Sequence, residues 1–154
     1  MPEPGEESYC YKVEALSSHL KEREEKIQQT LACLVEESSK GIFIIVEGKN
    51  DVETLRQLGV EGPIISAKTG GKTQLDVICE VEESGAKEVI MLLDFDRRGK
   101  EWTAVLKQRL EKARVKPNLT FWNQLIRFAG REVKDVEGLA SYVQTLKKKA
   151  GEIP

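Results

Sequence analysis

The sequence predicts one α/β domain built on an open, mainly parallel sheet with helices on both faces, preceded by an extra helical segment. Two observations favour this fold class. The apolar runs at residues 42–46 and 89–93 are nearly continuous, as in parallel strands that are buried on both faces. Helical patterns separate such runs, which is the order of a βαβ series. A chain of 154 residues also has the usual size of a domain with a single hydrophobic core.

Residues 1–40 are predicted to be a flexible leader followed by an N-terminal helical extension. Residues 1–8 contain two prolines, a glycine and three glutamates, which favours flexibility. Apolar residues then recur at spacings of three and four, which predicts an amphipathic helix or helix pair over 13–37. Docking of this helix on the following domain is the simpler interpretation. Pairing with a second copy, as a homodimer, or with a protein partner is the alternative.

Residues 41–122 are predicted to form the core of the domain. Strands are expected at 42–46, 64–65, 89–93 and 119–122, and helices at 52–58, 75–81 and 96–114. Residues 123–154 are expected to form a basic C-terminal extension that packs on this core. A last helix is predicted there over 136–149, with Asp135 as its candidate N-cap.

Charge is distributed unevenly along the chain. Residues 1–96 contain 20 acids and 10 bases, whereas residues 97–154 contain 6 acids and 14 bases. A molecule polarised in this way can offer a basic face to a polyanion while it keeps an acidic metal site elsewhere. Solvated faces of charged helices explain the same pattern, so charge alone does not decide between the two interpretations.

Cysteine usage and hydropathy predict a cytoplasmic protein. Cys10, Cys33 and Cys79 are odd in number and lack C-x-x-C spacing, so neither a disulfide framework nor a zinc ribbon is indicated. No stretch approaches the roughly 18 to 20 apolar residues that a membrane span needs, and the acidic start has the wrong charge for a signal peptide.

Two of the predicted strands end in acidic residues. One is followed by Glu47 and Gly48, and the other by Asp94, Phe95 and Asp96. If these strands are neighbours, three carboxylates crowd the edge of the sheet where ligand sites form, and a cation such as Mg²⁺ would offset their repulsion. Both aspartates can face one side while Phe95 points into the core. The alternative for Asp96 is to cap the next helix.

The segments beside these acids contain features that suit phosphate binding. Gly48 permits a tight turn or a close approach by a phosphate, and Asp51 is expected to be the N-cap of the helix that follows. The loop at 68–73 contains Lys68, Lys72 and two glycines, so it can present amides and ammonium groups to a phosphate. Ser66 stands where a Walker A loop requires glycine, which argues against a nucleotide triphosphatase.

Together, the two acidic motifs resemble the Toprim domain, which type IA and type II topoisomerases, bacterial primases, OLD-family nucleases and the ribonuclease that matures 5S ribosomal RNA share. The family's first motif is a strand that ends in Glu-Gly, matched by residues 44–48, and Asp51 matches the acid often found shortly after it. The second motif is D-x-D with a nearby glycine, matched by Asp94, Asp96 and Gly99. The resemblance covers about 41–122, implies a Toprim (Rossmann-like) fold, and is closest in size to small stand-alone Toprim proteins.

The resemblance implies magnesium-dependent phosphodiester chemistry. Glu47 would be the general acid or base, and Glu47, Asp94 and Asp96 would form the metal-binding cluster, with Mg²⁺ as the cofactor and Mn²⁺ as a substitute. Nucleic-acid contacts are expected from nearby residues: Gly48, Lys49, Lys68, Lys72, Arg97, Arg98 and Lys100. For Arg97, Arg98 and Lys100, solvated charges on a helix face are the alternative.

The leading functional prediction is a metal-dependent endonuclease acting on DNA or RNA. The alternatives are a nucleic-acid-binding adaptor or clamp that does not cleave, or the Toprim half of a multi-component topoisomerase-like or primase-like assembly. The chain's three tyrosines lie in no recognisable nucleophile motif, which argues against relaxation of supercoils by this chain alone. Trp102, Trp122 and Phe121 can stack on unpaired bases, which slightly favours single strands, although at least two of them are expected in the core.

Overall fold

The computed structural model describes residues 4–149 and residue 151, with side chains from residue 18 onward. The helices are α1 (Pro4–Ser39), α2 (Lys49–Gln57), α3 (Gln74–Ser84), α4 (Arg97–Lys112), α5 (Thr120–Ala129) and α6 (Val136–Lys149). The strands are β1 (Phe43–Val46), β2 (Ile64–Ser66), β3 (Glu88–Met91) and β4 (Lys116–Asn118), and a 3₁₀ turn spans Thr69–Gly71. This arrangement confirms the predicted α/β class with an N-terminal helix.

The four strands form one parallel sheet in the order β2-β1-β3-β4. The chain moves from β1 to β2 on one side and then returns to β3 on the other side of β1. The carboxyl ends of β1 and β3 therefore lie at the point where the strand order reverses, which is where open parallel sheets bind ligands. Because β1 and β3 pair directly, the two acidic strand ends are neighbours, which was the condition for an acidic cluster.

Both faces of the sheet are covered, which explains the continuous apolar runs. Ile44, Val46 and Ile90 point into a core that residues of α1, α2, α5 and α6 complete. Ile45 and Met91 point the other way, into a second core completed by α3 and α4. Side chains alternate between the faces along each strand, so a strand buried on both sides needs apolar residues at every position.

Helix α1 packs its second half against α5 and α6. Ile27, Leu31 and Leu34 are buried in this contact, which confirms docking on the domain; pairing of α1 with another chain stays a prediction. The helix begins at Pro4, so residues 4–8 are helical, and the flexibility of this leader stays a prediction. Proline suits the first helical turn because its missing N–H would have no partner there. Residues 1–3 of that leader lie outside the described residues.

The predicted strand at 119–122 is wrong. The strand ends at Asn118, whose side-chain oxygen accepts the backbone N–H of Thr120 at 3.0 Å, and α5 begins at once. A segment as short as residues 119–122 fits the period of a strand or of a helix, but the buried residues continue at helical spacing: Phe121, Trp122, Leu125 and Ala129. The true strand β4 is at the edge of the sheet, where its Pro117 is tolerated.

The other predicted strands and helices agree with the structure to within a few residues, and α6 has the predicted bounds. Residues of α5 and α6 share one core with α1 and the sheet, so the boundary expected between residues 122 and 123 falls inside α5. None of the helices that the structure describes combines the length and the apolar character needed to cross a membrane.

Candidate functional site

Glu47 lies directly after β1 and is almost completely buried, with 3% of its surface exposed. One carboxylate oxygen accepts the backbone N–H of Asp94 at 3.3 Å, which ties the ends of β1 and β3 together. The other oxygen lies 2.6 Å from the Nζ atom of Lys68, in the loop after β2. A buried carboxylate without a charge partner is costly, so Lys68 offsets the charge of Glu47 in this structure.

Asp51 is buried near the start of α2, but it is not the N-cap that the sequence predicted. The helix begins at Lys49 with Gly48 as its N-cap, because Gly48 is still extended (φ −121°, ψ 167°). Asp51 is the third helical residue, and it accepts the backbone N–H of Gly48 at 3.2 Å, as acids at this position commonly do. Its other oxygen accepts the backbone N–H of Glu137 at 3.0 Å, which joins α2 to α6.

The D-x-D motif divides its two aspartates between different tasks. Asp94 is half-buried and faces Glu47, whereas Phe95 is in the core with 3% exposure, as predicted. Asp96 is exposed and caps α4, accepting the backbone N–H of Gly99 at 2.8 Å. A Cβ atom at Gly99 would overlap the carbonyl oxygen of Asp94, so this tight turn requires glycine. A metal-binding role for Asp96 stays a prediction.

Asp135 is a further acid at this site, and sequence reasoning assigned it only a capping role. It does cap α6, because its Oδ1 atom accepts the backbone N–H of Gly138 at 2.7 Å. The loop before α6 is held on the strand end by a hydrogen bond from the N–H of Phe95 to the carbonyl of Lys134 at 2.6 Å. As a result, carboxylate oxygens of Asp51, Asp94 and Asp135 all lie within 4.8 Å of one another.

The crowding of these acids changes their protonation. Burial, with the nearby charges of Glu47 and Asp51, raises the pKa of Asp94 to about 7. Burial also raises the pKa of Asp51, although the N–H groups of Glu137 and Gly48 act in the opposite direction. Carboxylates with raised pKa values favour either a bound proton or a bound cation. The cluster therefore has the charge and the oxygen donors that suit a divalent metal ion.

The acids open into a pocket of about 270 Å³, here called the acidic pocket. Gly48 and Lys49 line it at the start of α2, and Lys68 lines it from the loop after β2. The N-terminus of a helix attracts anions through its free N–H groups, so these residues are well placed for a phosphate. Asn50 and Glu137 complete the rim, with a hydrogen bond of 3.4 Å between their side chains.

The other basic residues predicted to contact nucleic acid lie outside the acidic pocket. Lys68 also lines a second, open groove of about 470 Å³ between α3 and α4, together with Lys72 and Arg98; we call it the Trp102 groove. Arg97 is exposed at the start of α4 and pairs with Glu101 at 3.1 Å. Lys100 is exposed on α4 and lines neither cavity. The predicted contacts therefore divide between two adjoining surfaces.

Two of the three candidate stacking residues belong to the core, as expected. Phe121 and Trp122 are 7% and 8% exposed, and the indole N–H of Trp122 donates to the carbonyl of Leu93 at 2.8 Å. This hydrogen bond fixes α5 to the end of β3. Trp102 is partly exposed, and the Nζ atom of Lys68 lies 5.6 Å from the centroid of its ring.

Comparisons with known proteins agree with this architecture. The family model of the Toprim domain matches residues 42–121. A UPF0292 protein of Methanosarcina barkeri is 37% identical over 131 residues, covering 85% of this chain and 90% of the relative. A UPF0292 protein of Methanocaldococcus jannaschii is 39% identical over 101 residues, covering 65% of this chain and 77% of the relative. A solved structure of a protein from Aquifex aeolicus is similar with a TM-score of 0.58 and 25% identity, covering 74% of this chain and 94% of that one.

The matched segment contains both strand ends, with Glu47, Asp51 and Asp94, whereas Asp135 lies beyond it. Toprim domains bind divalent metal ions and take part in nucleic-acid-related functions, and the acidic pocket supplies oxygen donors of the kind that such an ion binds. The chain therefore belongs to the Toprim-domain family, as one of its UPF0292 proteins.

Proposed function

We propose that this protein is a divalent-metal-dependent nuclease that cleaves phosphodiester bonds of DNA or RNA, with Mg²⁺ as its metal and Mn²⁺ as a substitute. The observation that carries the proposal is the convergence of four acids at the point where the strand order reverses: Glu47, Asp51, Asp94 and Asp135. Such a cluster destabilises the fold through charge repulsion and desolvation, and groups with perturbed pKa values of this kind are concentrated at functional sites.

Asp94 is the centre of the proposed metal site, with Asp51 and Asp135 beside it. Mg²⁺ usually takes a small number of carboxylates and keeps several waters, which fits acids that surround an open pocket and do not form a closed cage. Asp96 remains in the proposal as an outer ligand. Its Oδ1 atom is held by the N–H of Gly99, so the other oxygen is the one that can contact the metal or a metal-bound water.

Glu47 is the proposed general acid or base. When bound, the metal would lower the pKa of a coordinated water and neutralise charge on the scissile phosphate. Glu47 is suited to moving a proton because it is buried and is held at both oxygens, by Lys68 and by the N–H of Asp94. The ammonium group of Lys68 offsets the charge of this buried carboxylate. Lys68 can move to a substrate phosphate once a metal offsets the charge of the cluster.

Phosphate binding is assigned to the residues around the pocket. The first turn of α2 presents free N–H groups after Gly48 and the ammonium group of Lys49, which suits an anion. Lys68 lines the same space from the loop after β2. A phosphodiester bound here would have its negative charge stabilised by the helix terminus and two lysines while its cleavable bond lies next to the acids.

The test is incubation of purified protein with end-labelled single-stranded and double-stranded DNA and RNA, with Mg²⁺, Mn²⁺ or a chelator. We expect metal-dependent cleavage that falls at least about 100-fold in Glu47→Gln and Asp94→Asn, since each change removes a proton carrier or a ligand. Glu83→Gln is the matched control, because it neutralises an exposed acid on α3 that lines neither cavity.

Cleavage by the wild type in the presence of chelator would contradict the proposal. Full cleavage activity of the Asp94→Asn variant would contradict it as well. Binding of nucleic acid by the wild type without any cleavage would replace it with the adaptor or clamp function, in which the metal site organises the backbone contact but no bond is broken.

A further inference from the structure

We infer that the Trp102 groove binds unpaired nucleotides of the substrate, with a base stacked on the indole of Trp102. The inference rests on the proposed function, because it extends the path of the substrate from the acidic pocket, and it names the substrate class as single-stranded nucleic acid or a single-stranded end of a duplex.

The lining of the groove has the chemistry of a single-strand site. Lys68, Lys72 and Arg98 supply three cationic side chains, and Trp102 and Val105 supply an apolar surface between them. Val105 is one of the large apolar residues left exposed, at 40%. Sites that bind single strands combine a basic groove for the backbone with aromatic rings for the bases. A duplex hides its base faces by stacking, so it would use the cations but leave the apolar surface uncovered.

Lys68 connects the groove to the chemistry. Its Nζ atom lies 2.6 Å from Glu47 and 5.6 Å from the ring centroid of Trp102, and the residue lines both cavities. One ammonium group therefore lies near both the stacking surface and the proposed proton carrier. A base placed on Trp102 brings a neighbouring phosphate of the same strand to the acidic pocket.

The charges around the groove are arranged so that an anion can enter. Glu101 lines the groove, but its carboxylate is paired with Arg97. Lys72 is paired with Glu80 at 2.6 Å, whereas Arg98 makes no ion pair within the part of the chain that the structure describes. Arg98 is therefore the cation that a phosphate reaches without breaking an existing pair.

Tryptophan fluorescence can test the inference because the two tryptophans differ in exposure, Trp122 being buried and Trp102 partly exposed. The probes are 12-residue oligo(dT) and oligo(U), with a blunt DNA hairpin as the duplex, all with chelator present to prevent cleavage. We expect both oligonucleotides to quench the wild-type emission and the hairpin to do so weakly. In Trp102→Phe, where only Trp122 emits, the emission should not change on titration.

Affinity is measured in parallel by the anisotropy of labelled oligonucleotides. We expect Trp102→Ala to weaken single-strand binding about 10-fold and Trp102→Phe to stay within about 3-fold of the wild type, because phenylalanine retains a stacking face. Recovery by phenylalanine separates stacking from a general loss of structure, which would affect the hairpin and both oligonucleotides equally. Absence of quenching, or equal affinity in Trp102→Ala and the wild type, would overturn the inference.

Failure of this inference is distinguishable from failure of the proposed function. Cleavage that depends on Asp94 but is unchanged in Trp102→Ala would overturn the stacking groove and leave the nuclease in place. Quenching and Trp102-dependent binding without cleavage under any metal condition would support the groove and remove the nuclease.

Discussion

The two faces of the sheet contribute opposite chemistry to the same edge. The acidic pocket is completed by the side of α2 and α6, which supplies Asp51 and Asp135. The Trp102 groove belongs to the side of α3 and α4, where the lining residues are mainly basic or apolar. Glu47 and Asp51 are buried, and both accept backbone N–H groups, whereas the groove is lined by cations and by the partly exposed Trp102. The two proposals assign these faces different tasks, a metal site on one and the binding of successive phosphates on the other.

Lys68 is the residue at which the two regions meet. It lies in the loop after β2, and its ammonium group pairs with the buried carboxylate of Glu47. Neutralising any one acid, removing this lysine, or changing the solution pH should therefore affect the two regions differently. Substitutions at Asp135, Lys68 and Asp94 make that difference measurable.

Asp135→Asn should weaken the binding of Mg²⁺ and Mn²⁺ by about 10- to 100-fold, because it removes one of the three carboxylates that lie within 4.8 Å of one another. Asparagine can still accept the N–H of Gly138, so the start of α6 should be preserved. Isothermal titration calorimetry with each metal at pH 8 measures the change.

Glu132→Gln is the control for Asp135→Asn, since it removes an exposed charge from the same loop without touching the acidic pocket. If Asp135→Asn bound both metals as tightly as the wild type, Asp135 would be only a helix cap, and the metal site would be confined to the segment matched by the Toprim model.

The core of this site could be predicted from sequence, and its outer part could not. Glu47 and Asp94 follow apolar runs that the sequence shows, and the carboxyl ends of parallel strands share one edge of a sheet. The structure supplied the remaining condition, that β1 and β3 are neighbours. Asp135 is different, because it reaches the cluster through long-range contacts, the packing of α6 against α2 and the hydrogen bond from the N–H of Phe95 to the carbonyl of Lys134. No local pattern reports a contact of that kind.

Local ambiguity explains the other differences. Residues 119–122 fit strand and helix equally well until Leu125 and Ala129 extend the helical spacing. Asp96 had two chemically reasonable roles, and the structure shows the capping one, because the chain turns into α4 immediately after it. For Trp102, the sequence could suggest stacking, but the partial exposure and the nearby Lys68 needed coordinates.

Lys68→Met should lower the unfolding free energy by about 1–2 kcal/mol, because Glu47 then stays buried without a charge partner while Lys68 itself is partly exposed and screened. For a chain of this size that corresponds to a decrease in Tm of about 2–8 °C. Glu47→Gln added to Lys68→Met should recover most of the loss, which a double-mutant cycle in chelator would detect.

Mg²⁺ provides a second measurement on Lys68→Met. If the metal replaces the lysine as the cation beside the acids, it should raise the Tm of this variant more than that of the wild type. Equal shifts, together with additive effects in the cycle, would mean that the Lys68–Glu47 pair contributes nothing to either region.

Asp94→Asn should make the metal-free protein more stable at high pH. The pKa of Asp94 is raised from 3.8 to about 7. At a solution pH between these two values, the folded protein therefore holds a proton on Asp94 that the unfolded chain has released. Its unfolding free energy therefore decreases as pH rises from about 4 to 7. Asparagine avoids this cost, and we expect a gain of about 1 kcal/mol at pH 8, after allowance for solvent screening, with little gain at pH 4.5.

Urea unfolding of both proteins in chelator at pH 4.5 and pH 8 measures this gain. Asp76→Asn is a control that should lower the unfolding free energy at pH 8. Hydrogen bonds from Thr73 lower the pKa of Asp76, and its ionised form stabilises the start of α3. A difference between Asp94→Asn and the wild type that does not change with pH would contradict the electrostatic explanation. Added Mg²⁺ should reverse the ranking at pH 8, because only the wild type retains the carboxylate at the centre of the proposed site. The same two proteins in two conditions thus separate the cost of crowded acids from the metal binding that would offset it.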